Sequence, residues 1–226
     1  MAELSAKLEV IGLRKSFGPR LVLDVDFELE AGGFCLLLGE NGAGKSTFFR
    51  CLLGLENFTG TVMIDGHKPR GSIFGILDQP MMYPRWTAAH NVRYLLNDAH
   101  GDSLPLVARL VDPSILRKNA GQLSTGQKKI VLLAAALAGE ADVVLLDEFA
   151  NGLDQHARGV FRDAVREQMA AGRSFIATGH DLHAFGDLPT RVSVMKDERV
   201  TDVSASDLSQ YSLKEIYETY VARSHP

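Results

Sequence analysis

Phe34-Cys35-Leu36-Leu37-Leu38-Gly39-Glu40-Asn41-Gly42-Ala43-Gly44-Lys45-Ser46-Thr47 is the stretch whose reading decides the fold. Its apolar opening has the pattern of a central parallel strand buried on both faces. The rest fits G-x-x-x-x-G-K-[ST], and a helix is expected from about Lys45 to Leu53. Glycine tolerates φ > 0 and puts no Cβ between backbone and ligand. The N–H groups from Gly39 through Asn41, Gly42, Ala43 and Gly44 can therefore converge on phosphate oxygens. The helix start adds a positive end of roughly half an elementary charge. Lys45 supplies a mobile ammonium for β and γ phosphates. Ser46, followed by Thr47, offers a hydroxyl to Mg²⁺, a hard ion that prefers oxygen. A plain glycine-rich turn is the bland alternative, and the flanking strand and helix count against it.

Downstream, Val143-Val144-Leu145-Leu146-Asp147-Glu148 is a second buried strand, ending in adjacent carboxylates. Ligands of open α/β sheets gather at the carboxyl ends of strands, where both acids fall. Alternation along a strand points them in different directions, so they can take separate jobs. Asp147 is placed to hold Mg²⁺, and Glu148 to orient or deprotonate the water that attacks a γ phosphate.

The surrounding chain fits this frame. Residues Leu8 to Leu29 read as β structure folded at Gly18-Pro19, and Val25, Phe27 and Leu29 alternate as in an antiparallel layer with one wet face. Thr61 to Ile64, Ile73 to Leu77, Phe175 to Thr178 and Val192 to Met195 are further strand candidates. Thr87 to Leu116 reads as mostly helical, broken at Gly101, Pro105 and Pro113, and forms an inserted lobe over approximately 80–138. Helices are expected from Ser124 to Ala138, from Asp154 onward (Ala157, Val160, Phe161, Ala164, Val165) and around Leu213, Ile216, Tyr217 and Tyr220. Strands alternating with helices imply an α/β fold with a mostly parallel central sheet, an N-terminal antiparallel β layer and a small helical lobe, with 1–226 as one domain.

Of the 226 residues 46% are hydrophobic and 23% charged, so a disordered chain is excluded. A net charge of −4 gives no basic footprint, and nucleic acid is not expected as a partner. The apolar run Ile130 to Ala138 is about half of the roughly 20 residues a spanning helix needs. No N-terminal stretch has the layout of a secretion signal. Cys35 and Cys51 read as reduced, buried thiols rather than metal ligands.

Leu123-Ser124-Thr125-Gly126-Gln127 makes the reading specific. Ser124-x-x-Gln127 is a capping box on the helix that follows, and a capped N-terminus is also an anion site. The segment resembles the LSGGQ signature of the ATP-binding subunits of ABC transporters, with Thr125 replacing the first glycine. With the phosphate loop and acid strand, the resemblance extends over most of the chain and implies a P-loop ATPase of the ABC type. It implies that Ser124, Gly126 and Gln127 face the γ phosphate held by a second ATP-binding subunit, as a homodimer closing over ATP and Mg²⁺. Phe17 stands where the family stacks an aromatic on adenine, and Gln79 matches the glutamine that senses Mg²⁺ and the attacking water. Asn151-Gly152-Leu153-Asp154 matches the loop that crosses the dimer interface, and His180 the switch histidine that contacts the γ phosphate. Phe149 stands where the family often has proline, and Gly179 separates Thr178 from the histidine. The resemblance further implies a transmembrane permease subunit as partner and a cytoplasmic, membrane-peripheral location. Met81-Met82-Tyr83-Pro84-Arg85-Trp86 is the expected docking segment, with packing of the lobe as the alternative. A soluble ABC ATPase of repair, translation or cofactor assembly, and a P-loop metabolite kinase, are the competing classes.

Overall fold

A computed structural model describes residues 7–69, 71–79, 81–179 and 181–221. Strands β1 (Leu8–Phe17) and β2 (Arg20–Leu29) form a hairpin, and β1 also pairs antiparallel with β4 (Thr59–Ile64). Along the end of β2 Val25, Phe27 and Leu29 are buried while Asp26 and Glu28 are exposed, the one-sided wetting that the alternation predicts.

The second sheet runs β5 (Ile73–Ile76), β6 (Val143–Leu146), β7 (Ser174–Ala177), β3 (Phe34–Leu38), β8 (Arg191–Lys196), β9 (Arg199–Asp202). All neighbours are parallel except β9, which returns antiparallel along the edge. Strand β3 lies between β7 and β8 and is buried at every residue. Its alternation divides two cores. Phe34, Leu36 and Leu38 join one with Val144, Leu146, Phe175 and Ala177, under α5 (Thr125–Ala138), α6 (Gln155–Ala170) and α8 (Leu213–Tyr220). Cys35 and Leu37 join the other, filled by Phe48, Phe49 and Leu52 of α1 (Lys45–Leu52) and the inner face of the antiparallel sheet. Both cysteines are free and buried, and burial pushes each thiol up to about 11.

A third cluster builds the helical lobe from Ala88 and Val92 of α2 (Ala88–Leu95), Val107 of α3 (Leu104–Val107), Leu116 of α4 (Pro113–Leu116) and Val131, Ala134 and Ala135 of α5. Helix α5 thus buries one face in the lobe and another on the sheet, which is why its sequence is apolar almost all round. Pro105 and Pro113 do not interrupt helices; they sit in the first turns of α3 and α4, where the missing N–H costs nothing. Among the described residues no helix is long and apolar enough to cross a membrane. Strand β9 and the short helix α7 (Ala205–Gln210) had no counterpart in the sequence reading. The β8–β9 turn uses Asp197 and Glu198 at positive φ, without the Asn-Gly signal that marks such turns.

Candidate functional site

Strand order collects the candidate residues. Strands β5, β6, β7 and β3 lie side by side and parallel, so the loops leaving their carboxyl ends form one row. Gln79 follows β5 and is exposed, Asp147 and Glu148 follow β6, Thr178 follows β7, and the glycine-rich loop follows β3.

The loop enters α1 through Gly44, whose φ of 107° is a conformation that side chains disfavour, and a Cβ there would stand 3.2 Å from the Val22 carbonyl oxygen of β2. No side chain caps this helix start, so Gly44 leaves first-turn amides open to an anion. Lys45 is buried to 8% exposure and donates to the carbonyls of Gly39 at 2.7 Å and Glu40 at 2.9 Å. Burial lowers its pKa, and the charges of Glu148 and Asp147 partly oppose that, which ties the ammonium to the acids. Ser46 is exposed beside it, and Asn41 and Gly42 lie exposed on the loop. A cleft of about 360 Å³ flanks the loop between Arg20, Val22, Asn41, Gly42 and Glu198.

The acids are held by a residue that sequence reasoning passed over. The Thr178 hydroxyl donates to Asp147 Oδ1 at 2.7 Å and accepts from the Glu148 N–H at 3.0 Å. Asp147 is 3% exposed, and fixing one carboxylate oxygen sets the direction of the other. Glu148 has a φ of 47°, uncommon for a residue with a side chain, and its Oε2 accepts from Asn151 Nδ2 at 2.9 Å. A serine or threonine closing a strand just before the histidine is the only sequence signal that pointed to Thr178. Lys129, also passed over, is 1% exposed and donates to the carbonyls of Glu148 and Asn151.

At α5, Ser124 Oγ accepts from the Gln127 N–H at 3.2 Å and Gln127 Oε1 from the Ser124 N–H at 3.1 Å, the expected reciprocal box. Gly126 is required by close approach: a Cβ there would stand 2.6 Å from the Gly152 carbonyl oxygen. Asp154 caps α6 through Ala157 N–H at 2.8 Å. Arg158 donates to the Leu153 carbonyl and pairs with Asp181 at 2.5 Å. The structure thus sets Gly126 against the Gly152 carbonyl, and Ser124, Gly126 and Gln127 line one cavity with Gly152 and Asp154. Among the described residues no hydrogen bond joins them to the Lys45 loop of the same chain. Phe17, at the tip of the β1–β2 hairpin, is 51% exposed with the Lys15 ammonium 4.6 Å from its ring centre. His180 lies outside the described residues.

The set suits Mg²⁺ bound together with a nucleotide. Ser46 and Asp147 are oxygen donors, and among the described residues no three His, Cys, Asp or Glu side chains form a metal cage. Magnesium keeps waters and takes few protein ligands when phosphates complete its shell.

Residues 22–151 match the family described as ABC transporter. Over 189 residues the chain is 31% identical to the SkfA peptide export ATP-binding protein SkfE of Bacillus subtilis, covering 78% of this chain and 79% of that protein. It is 29% identical over 239 residues to the ribose import ATP-binding protein RbsA of Halalkalibacterium halodurans, covering 96% of this chain and 48% of that protein. A solved structure described as the ATP binding subunit of an ABC transporter superposes with a TM-score of 0.81 at 26% identity, over 94% of this chain and 98% of that one. The chain spans about half the length of several curated relatives it matches.

Proposed function

The chain belongs to the ABC transporter family, and from that membership we propose that residues 1–226 bind and hydrolyse Mg·ATP to power transport through a separate membrane-spanning partner. One observation carries the ATPase reading above the rest: the parallel pairing of β3 and β6 with β7 puts the buried Lys45, the fixed Asp147 carboxylate and Glu148 on loops that leave the carboxyl end of the sheet.

In this reading the amides of Gly39 to Thr47 and the Lys45 ammonium grip the β and γ phosphates. Lys45 exchanges its carbonyl partners for phosphate oxygens. Ser46, Asp147 and Gln79 would hold Mg²⁺, which supplies charge neutralisation at the β and γ phosphates. Glu148 orients a water in line with the bond to the leaving oxygen and takes its proton. The new P–O bond forms as the bond to the β,γ-bridging oxygen breaks, releasing ADP and phosphate. His180 contacts the γ phosphate, and Phe17 offers its exposed ring to adenine. The Ser124 end of α5 seals the ATP of a second copy, so binding favours a closed pair and hydrolysis releases it.

Replacing Lys45 with Ala tests the ATPase reading: Mg·ATP turnover is expected to fall at least about 1,000-fold. A rate equal to the unmodified protein's would refute it.

The transport reading draws on relatives named for import and for export, and on an exposed aromatic surface at the lobe. Met81 is 84% exposed, and Tyr83, Trp86, His90 and Tyr94 form an aromatic cluster with centroids 4.3 to 5.5 Å apart, with Trp86 stacked on His90, and Tyr94 edge-on to Tyr83 and Trp86. Buried Asn91 pins the segment by bonding the Tyr83 N–H and the carbonyls of Tyr83 and Thr87, while Met82 turns inward to the core. This surface fits a short amphipathic helix of a membrane partner that holds the chain peripherally at the cytoplasmic face. Trp86→Ala is expected to abolish co-purification with a membrane protein while leaving basal ATP hydrolysis within about twofold. Undiminished association would remove the docking assignment, and a native chain that isolates with no membrane protein would favour a soluble ABC ATPase.

A further inference from the structure

We infer that Lys129 is a positioning residue for hydrolysis: from the helix that starts at Ser124, it fixes the turn that aims the Glu148 carboxylate. The inference rests on the reading of Glu148 as the group that orients the attacking water.

Helix α5 is apolar on nearly every side, and Lys129 sits within it at 1% exposure, followed by buried Val131, Leu132 and Leu133. An ammonium in such a place is costly unless its donors are matched. Its Nζ donates to the Glu148 carbonyl at 2.6 Å and the Asn151 carbonyl at 3.1 Å. Both acceptors are main-chain oxygens of one turn, so the side chain clamps a backbone shape, and the nearby charges of Asp78, Glu148 and Asp147 offset part of the cost of burying the ammonium. That shape needs holding: Glu148 has a φ of 47°, a conformation that side chains disfavour. The same turn carries the Asn151 amide that bonds Glu148 Oε2, so it sets carbonyl, backbone and carboxylate together. The neighbouring Lys128 is only half-buried, which separates a placed cation from a solvated charged face.

The position also links two parts of the reaction. Ser124 and Gly126 begin α5, and Lys129 leaves the same helix a little over one turn later. A shift of α5 when its start meets a facing nucleotide therefore moves the clamp on Glu148. The water-positioning group in one site is thus set by the helix that reads the other.

The test uses purified protein with Mg·ATP, comparing native, Lys129→Met, Glu148→Gln and the double variant in steady-state kinetics. Lys129→Met is expected to lower kcat about 30-fold with KM within about threefold. In the Glu148→Gln background the same change should alter residual turnover less than about twofold, because its target is already gone. Deuterium uptake at residues 148–154 of the nucleotide-free protein should quicken in Lys129→Met, with α6 unchanged. An equal fall in both backgrounds, or an unchanged kcat, would overturn the inference in favour of a packing role. If Lys129→Met does not fold, Lys129→Leu carries the same comparison, because it also removes every donor. A native protein that fails to hydrolyse ATP sinks the ATPase reading instead, and the exchange measurement still decides whether Lys129 holds the turn.

Discussion

Two helices of this chain start after glycine-containing loops, and they start differently. At α1 the cap is Gly44 in a left-handed conformation with no side chain to satisfy the first amides. At α5 the Gln127 amide is already taken by Ser124, and the Ser124 amide by Gln127. An open set of amides beside a buried ammonium is built to surround an anion, whereas the start of α5 has its Gln127 amide already taken and offers an anion only the remaining first-turn amides, the dipole and the hydroxyl. Burial follows the same division, with Lys45 and Asp147 nearly enclosed and Ser124 exposed. In the proposed function one helix start holds phosphate, and the other meets phosphate held by a second copy.

The comparison is most sharply tested at Gly126. A valine there forces its Cβ against the Gly152 carbonyl and pushes the Asn151–Asp154 loop off the start of α5. Steady-state turnover should fall about 100-fold while ATP binding to the single chain, read by equilibrium dialysis, stays within about threefold. Equal losses in both would mean that the two helix starts are not separate devices. A smaller effect is expected at the other end of the comparison from Thr178→Val, which keeps the shape and removes the hydroxyl from the Asp147 carboxylate and the Glu148 main-chain N–H. Unpairing these buried groups should cost about 1–3 kcal/mol in denaturant unfolding and lower kcat about 10-fold. Unchanged kcat would place the order of the acid strand in the sheet alone.

How much was legible in advance divides along contiguity. The phosphate loop, the acid strand and the α5 cap are runs of neighbouring residues whose spacing already encodes their local geometry, and the structure reproduces each. Thr178 and Lys129 escaped because their roles lie in partners 31 and 19 residues away in sequence. Strand β9 escaped because it is a short, charged edge with little apolar pattern. Two departures from the family pattern find a shared cause. Phe149 lies 5.0 Å from Phe161, Phe161 6.2 Å from Phe185, and a Cβ on Gly179 would stand 3.3 Å from the Phe185 ring. The phenylalanine at 149 extends an aromatic column, and glycine at 179 gives that column space beside Glu148.

The proposal that phosphate held at Lys45 is closed over by the Ser124 end of a facing copy is tested most directly by molecular mass. Light scattering of the Glu148→Gln protein at saturating Mg·ATP should report twice the mass of the chain, and the mass of one chain without nucleotide. A protein that is saturated with ATP and still scatters as a single chain would contradict the account.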